Sequence, residues 1–149
     1  MTGLRPRLLD PFDVMRATRA LAPHDPRLND IRWLTGQALR GVHEVATRDE
    51  MKAAPFEASP RADTARKARI DPVSVRLHAR ERLAACEEKA GPAAWTIVRR
   101  IVLEGACVRD CREHVPEIVT PWRCDAVISD RLRVALDALG PLLNVRQKP

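Results

Sequence analysis

The chain has 149 residues, of which 45% are hydrophobic and only 3% aromatic, so a core of aliphatic side chains is expected. Its 26 basic and 20 acidic residues give a formal net charge of +6. No apolar run approaches the roughly 18 residues of a membrane span, and the first residues lack the apolar stretch of a signal peptide. We therefore expect no membrane partner, a cytoplasmic protein and reduced cysteines.

Helix starts are marked by a capping residue followed by proline. The side chain of Asp or Thr caps free amides of the first turn, and proline at the first helical position gives up no hydrogen bond. The first two of these signals predict a helical hairpin within an N-terminal segment over residues 1–50, with helices over 11–21 and 26–46. The signal occurs four times in the chain, at Asp10-Pro11, Asp25-Pro26, Asp71-Pro72 and Thr120-Pro121.

The helical pattern stops after residue 50. Residues 51–70 hold two prolines, many alanines and a group of basic side chains. This composition predicts a flexible basic linker. The linker is either a solvated loop or an arm that meets nucleic acid through Arg66, Lys67 and Arg69.

The second half, residues 71–142, is predicted to form four helices, over 72–90, 92–103, 107–114 and 121–139, followed by a tail over 143–149. The 72–90 helix is expected to turn Val73, Leu77, Leu83 and Ala84 inward. No strand is predicted, so the fold class is all-α: a helical bundle containing a helix-turn-helix, with the N-terminal hairpin and the basic linker. The last helix has an apolar stripe at offsets of 4, 4, 3 and 4, formed by Cys124, Ile128, Leu132, Ala135 and Leu139.

The order of a medium helix, a glycine break, a short helix, a brief turn and a long helix is that of a helix-turn-helix. A long helix presented in this way fits the major groove, which is about 12 Å wide. Its start places Trp122 and Arg123 on the side away from the stripe, and Trp122 either packs or stacks on a DNA sugar. The expected DNA-contacting residues are Arg123 as base reader, then Ser129 and Arg133, with Arg109 and Arg112 on phosphates.

Acidic residues on the same helix oppose this interpretation. Asp125 and Asp130 would repel phosphates. Arg131 and Arg133 are close enough in sequence to offset that charge.

A family resemblance adds to these expectations. The segments WTIVRRIVLEGACVRDCREHV and AVISDRLRVALDALG resemble the fourth-region helix-turn-helix of bacterial sigma factors. Residues 75–142 are also similar to an uncharacterised family of sigma-region-like domains in bacterial and phage regulators. In that family a block like Arg82-Leu83, Gly91-Pro92, Trp95 and Glu104-Gly105 precedes the terminal helix. The resemblance implies binding of double-stranded DNA in transcription control, without sigma activity as such.

Two other interpretations stay open. Cys107, Cys111, His114 and Cys124 are residue types that bind zinc, but their spacing differs from the common C-x2-C pattern, so we expect packed thiols, no metal and no cofactor. Scattered histidines and adjacent carboxylates give no catalytic set, so we expect no enzyme.

The alternative function is that of a helical protein-interaction module, for example one docking on RNA polymerase. A continuous positive face would favour DNA, and a neutral or apolar face a protein partner.

Overall fold

The computed structural model describes residues 9–48 and 71–146, and all regular secondary structure in these ranges is helical. This confirms the all-α prediction. None of the described helices is long and apolar enough to cross a membrane. The elements are α1 (Pro11–Ala17), α2 (Pro26–Thr47), α3 (Pro72–Ala90), α4 (Pro92–Val98, continued by a π-helical turn over Arg99–Leu103), a 3-10 helix (Val108–His114), α5 (Pro121–Leu139) and a closing 3-10 turn (Pro141–Leu143).

Three of the four predicted caps are confirmed. The carboxylates of Asp10, Asp25 and Asp71 accept hydrogen bonds from backbone amides of α1, α2 and α3. Thr120 precedes α5 with an extended backbone, but its side chain makes no capping bond. The proline after it therefore carries the start signal of α5.

The two described parts of the chain share one hydrophobic core. Phe12, Leu21 and Leu39 from the N-terminal part belong to the same buried cluster as Ile101 and Leu132 from the C-terminal part. A hairpin of two helices buries too little apolar surface to be stable alone, so it packs on the other helices. The predicted linker lies outside the described residues, and the residues on either side of it do not form separate cores.

The predicted tail begins too early, because Leu143 is buried in the core. The closing turn brings the backbone N–H of Val145 to the carbonyl of Gly140 at 2.9 Å. The last described residues therefore belong to the bundle.

The α1–α2 hairpin also supports the end of α4. The Nε of Arg40 donates to the carbonyl of Val102, in the π-helical turn, at 2.7 Å. The same guanidinium forms an ion pair with Asp10. Carbonyls at the end of a helix lack partners within the helix, so Arg40 satisfies one of them.

The prediction for the inner side of α3 is partly wrong. Val73 and Leu77 are 57% and 54% exposed, and Ala84 is exposed too. α2 packs along the other side of α3, where Cys86 is fully buried and Leu83 partly buried. The sequence of α3 has apolar residues on two sides, and only one of them meets the core.

Two glycines of α2 provide a matched test of this packing. A Cβ at Gly36 would overlap the fully buried Phe12 ring, whereas a Cβ at Gly41 would meet open space. Overpacking costs about 1–3 kcal/mol, and Gly to Ala in a helix interior gains about 1 kcal/mol. We expect Gly41→Ala to raise the free energy of unfolding in urea and Gly36→Ala to lower it. A rise in both variants would show that α1 does not pack on α2 as described.

Candidate nucleic-acid interface at the start of α5

The position of α5 is fixed by its apolar stripe. All five predicted stripe residues are buried, so that prediction is confirmed. α4 and the 3-10 helix pack against this side, as do α2 and α3. The opposite side of α5 faces away from the core and begins with Trp122 and Arg123.

An ion pair fastens the 3-10 helix to α5. The Nε and Nη2 of Arg112 donate to the two carboxylate oxygens of Asp125 at 2.8 and 2.7 Å. These hydrogen bonds lower the pKa of the Asp125 carboxyl below its ordinary value, and nearby Arg109 adds to the effect. Arg112, predicted to contact phosphate, is therefore engaged in a bidentate pair within the bundle, and its contact with phosphate stays a prediction. Sequence reasoning treated Asp125 as a repulsive charge and missed this pairing.

The α1–α2 loop closes one flank of α5. The Nε and Nη2 of Arg133 donate to the carbonyl of Ala20 at 3.0 and 2.6 Å. One turn later along α5, Asp137 accepts two hydrogen bonds from Arg32 at 2.8 and 2.7 Å. Arg133, predicted to contact DNA, is thus held against the loop, and its contact with DNA stays a prediction. A loop carbonyl without a backbone partner needs a donor, and Arg133 is within reach.

The first two turns of α5 keep an accessible surface. Trp122 is 67% exposed, and the guanidinium of Arg123 lies 5.3 Å from the centre of its ring. Ser129 is half-buried, and Asp130 is exposed without an ion-pair partner among the described residues. Arg109, on the 3-10 helix, is exposed near Asp125. The structure therefore places Trp122 and Arg123 together at the start of α5, Arg109 near Asp125, and Ser129 near the middle of the helix.

The charge of the described residues is mixed rather than strongly positive. The described residues hold 18 of the 26 basic and 16 of the 20 acidic side chains, so their net charge is +2 against +6 for the chain. Arg131, expected to offset acidic charge on its own helix, lies 3.5 Å from Glu117 instead. Arg66, Lys67 and Arg69 lie outside the described residues.

Two of the cysteines pack as the sequence predicts. Cys111 and Cys124 are buried, and the Cys124 thiol donates to the carbonyl of Ile118 at 2.9 Å. Burial raises the pKa of the Cys111 thiol to about 11. The Cys107 thiol donates to Asp110 at 3.0 Å. Within residues 9–48 and 71–146, no three His, Cys, Asp or Glu side chains are arranged to hold a metal ion.

Two further exposed apolar residues lie beside or along α5. Val119, just before α5, is 92% exposed, and Val134 is exposed further along the helix. Sequence periodicity did not single out either residue, because neither lies on the buried stripe.

No protein-family model, characterised protein or solved structure matches this chain. The chemistry of this surface therefore carries the functional proposal.

The Arg112–Asp125 pair predicts a pH-dependent contribution to stability. The pKa of Asp125 is lower in the folded than in the unfolded chain, so the pair stabilises the fold above the unfolded pKa of about 3.9. That contribution is lost as the pH falls through the folded pKa. Asp125→Asn should lower the melting temperature at pH 6, and the difference from wild type should shrink below about pH 4. In Asp130→Asn, which removes an unpaired carboxylate, the difference should stay small at both pH values. A deficit for Asp125→Asn that is unchanged down to about pH 2 would show that the pair does not stabilise the fold.

Proposed function

We propose that this protein binds double-stranded DNA through the first two turns of α5 and regulates transcription. The observation that carries the proposal is the exposed Trp122–Arg123 pair at the start of a helix that the core holds fixed. Recognition helices contact base edges with their N-terminal residues. The resemblance to sigma region four supports the same use of this helix.

Each exposed residue has a distinct role in the proposal. Arg123 donates two hydrogen bonds to the O6 and N7 of a guanine, the commonest specific contact in the major groove. Trp122 presents its flat ring to a deoxyribose beside that base. Arg109 meets a phosphate from the 3-10 helix, and the positive end of the α5 dipole attracts the same backbone. Ser129 donates to a base edge or a phosphate one turn further in.

The position of Asp130 limits how far α5 enters the groove. Its unpaired carboxylate faces outward two turns after the start of the helix. Phosphates close to that carboxylate are repelled, so base contacts end before this residue. The interface is therefore short, and much of its affinity comes from basic residues elsewhere. Arg66, Lys67 and Arg69 supply sequence-independent phosphate contacts in this proposal.

A second candidate, a protein-interaction module, is favoured by one specific observation. The outer side of α5 lacks a continuous positive face, and Val119 and Trp122 are large exposed apolar residues at its start. Such residues are typical of the centre of a protein interface. RNA polymerase is the example of a partner in this alternative. DNA binding is preferred because the exposed tryptophan is paired with Arg123, and Arg109 is exposed near Asp125 of the same helix.

The first test is selection of bound sequences from a random DNA library. Loss of a bidentate arginine contact costs about 1–3 kcal/mol and relaxes preference at one position. We expect Arg123→Ala to lower affinity about 5- to 150-fold and to change the selected sequence. Arg27, an exposed residue of α2, provides the matched control. Arg27→Ala removes an equal charge and should leave the selected sequence unchanged.

The basic segment gives the complementary result. A triple alanine variant of Arg66, Lys67 and Arg69 should bind all DNA sequences more weakly by the same factor. Its affinity should also depend less steeply on salt concentration. An unchanged motif in Arg123→Ala would remove α5 as the reader and leave the protein-interaction candidate. If the wild type binds no DNA at low salt, then neither Arg123 nor the basic segment contacts DNA.

A gain of affinity is expected when the repulsive charge is removed. Asp130→Asn should bind the same duplex about 2- to 10-fold more tightly at low salt, because one carboxylate no longer opposes nearby phosphates. The gain should vanish at about 0.5 M salt, where charge interactions are screened. Glu44 is an exposed residue of α2. Glu44→Gln removes an equal charge and should leave the affinity for DNA unchanged. Equal affinities for wild type and Asp130→Asn at low salt would place the DNA elsewhere.

A further inference from the structure

An open groove runs between α2 and α3. Its volume is about 830 Å³, which is within the range of ligand pockets. Most of its lining is apolar and comes from both helices and from the closing 3-10 turn. Val75 of α3 and Leu142 of the turn line it and are 37% and 36% exposed. Water therefore reaches apolar surface along this groove.

Small residues line much of the groove. Ala38 and Gly41 of α2 face it, together with Ala79 and Ala85 of α3. A Cβ at Gly41 would meet no atom within 4 Å. A slot lined by such small side chains between two packed helices has room for a chain of methylene groups.

The groove also carries a cation. Arg82 lines it and has no ion-pair partner among the described residues, whereas the other titratable lining residues, His78 and Glu81, lie 3.7 Å from each other. Burial raises the pKa of the Cys86 thiol and Arg82 opposes that rise, which places the guanidinium close to this fully buried residue. A cation beside an apolar slot favours an anionic head group over a neutral or cationic one.

We propose that this groove binds a single-chain carboxylate, with its head group at Arg82 and its alkyl tail between Val42 and Val75. Arg82 lies seven residues after Val75, which is about 10 Å along α3. That distance matches a tail of about eight to ten carbons. The tail covers the exposed apolar lining, and the carboxylate forms an ion pair with the guanidinium.

The charges argue for one carboxylate rather than an acidic peptide. Arg82 provides a partner for one anionic group, and Glu81 at the edge of the groove would repel further ones. The proposal is independent of the DNA-binding function, and its test contains no DNA.

Calorimetric titration of the full chain with decanoate, below its micelle concentration, tests the proposal. We expect one site with a dissociation constant of about 1 mM or tighter. From hexanoate to octanoate to decanoate, affinity should rise about 5- to 10-fold at each step, because each step buries two more methylenes. Decanol, which has no charge, should bind about 2- to 5-fold more weakly than decanoate. In a nitrogen-15 correlation spectrum, decanoate should shift the amide signal of Gly41.

Two variants block the groove from its two helices. A leucine in Gly41→Leu should fill the slot, abolish decanoate binding and leave the melting temperature at least as high as in wild type, because a Cβ there meets open space. Ala85→Leu, at an exposed position of α3, should block the groove from the other wall. Ala84→Leu is the matched control, since Ala84 is exposed but does not line the groove, and it should bind decanoate as wild type does.

A charge variant locates the head group. Arg82→Gln should lower the affinity for decanoate to that for decanol and leave the affinity for decanol unchanged. Arg27→Gln, near the other end of α2, removes an equal charge and should bind decanoate as wild type does. Equal affinity for decanoate in Arg82→Gln and wild type would contradict the placement of the carboxylate.

Three further results would overturn the proposal. The first is no binding of decanoate by the wild type at about 5 mM. The second is unchanged binding by both blocking variants, with circular dichroism showing that they are folded. The third is an affinity that stays the same from hexanoate to decanoate, which would mean that the tail does not enter an apolar groove.

Discussion

Burial of one side of α5 is the constraint on which the rest of the structure depends. The elements that pack on α5, along its five stripe residues, are α2, α3, α4 and the 3-10 helix. Each of these elements has too few apolar residues to be stable alone, and together they enclose the stripe. Because one side of α5 is buried and one flank is closed by the α1–α2 loop, its remaining surface has a fixed direction. Any function of α5 is confined to that surface.

The division of arginines between structural and accessible roles follows from this arrangement. Arg32, Arg40, Arg112 and Arg133 all donate to carboxylates or backbone carbonyls within the bundle. A guanidinium has five donors in a planar fork, so it joins distant elements well. Arg123 is exposed at the start of α5, and Arg109 is exposed on the 3-10 helix. The chain is rich in arginine, yet several of these side chains hold the bundle together.

The features that local sequence determines were the most predictable. The stripe of α5 recurs at helical spacing, and the Asp-Pro signals mark three helix starts because a cap acts within one turn. α3 was harder, because its two apolar sides give no dominant direction, and tertiary packing by α2 decides which is buried. The partners of Arg133 and Arg112 were not predictable, since Ala20 is 113 residues away and Asp125 is on another element. The sequence therefore indicated which side of α5 is exposed, but not that Arg112 and Arg133 hold other elements of the bundle.

The three tryptophans offer the most direct measurement of where DNA binds. Trp95 is buried, Trp33 donates from its indole nitrogen to Asp13 on the α1–α2 hairpin, and Trp122 is exposed at the start of α5. Each gives a separate indole N–H signal in a nitrogen-15 correlation spectrum. On titration with a duplex at low salt, the account predicts that the Trp122 signal shifts while those of Trp33 and Trp95 stay in place. Binding of the duplex with an unmoved Trp122 signal would contradict the assignment of the interface to α5.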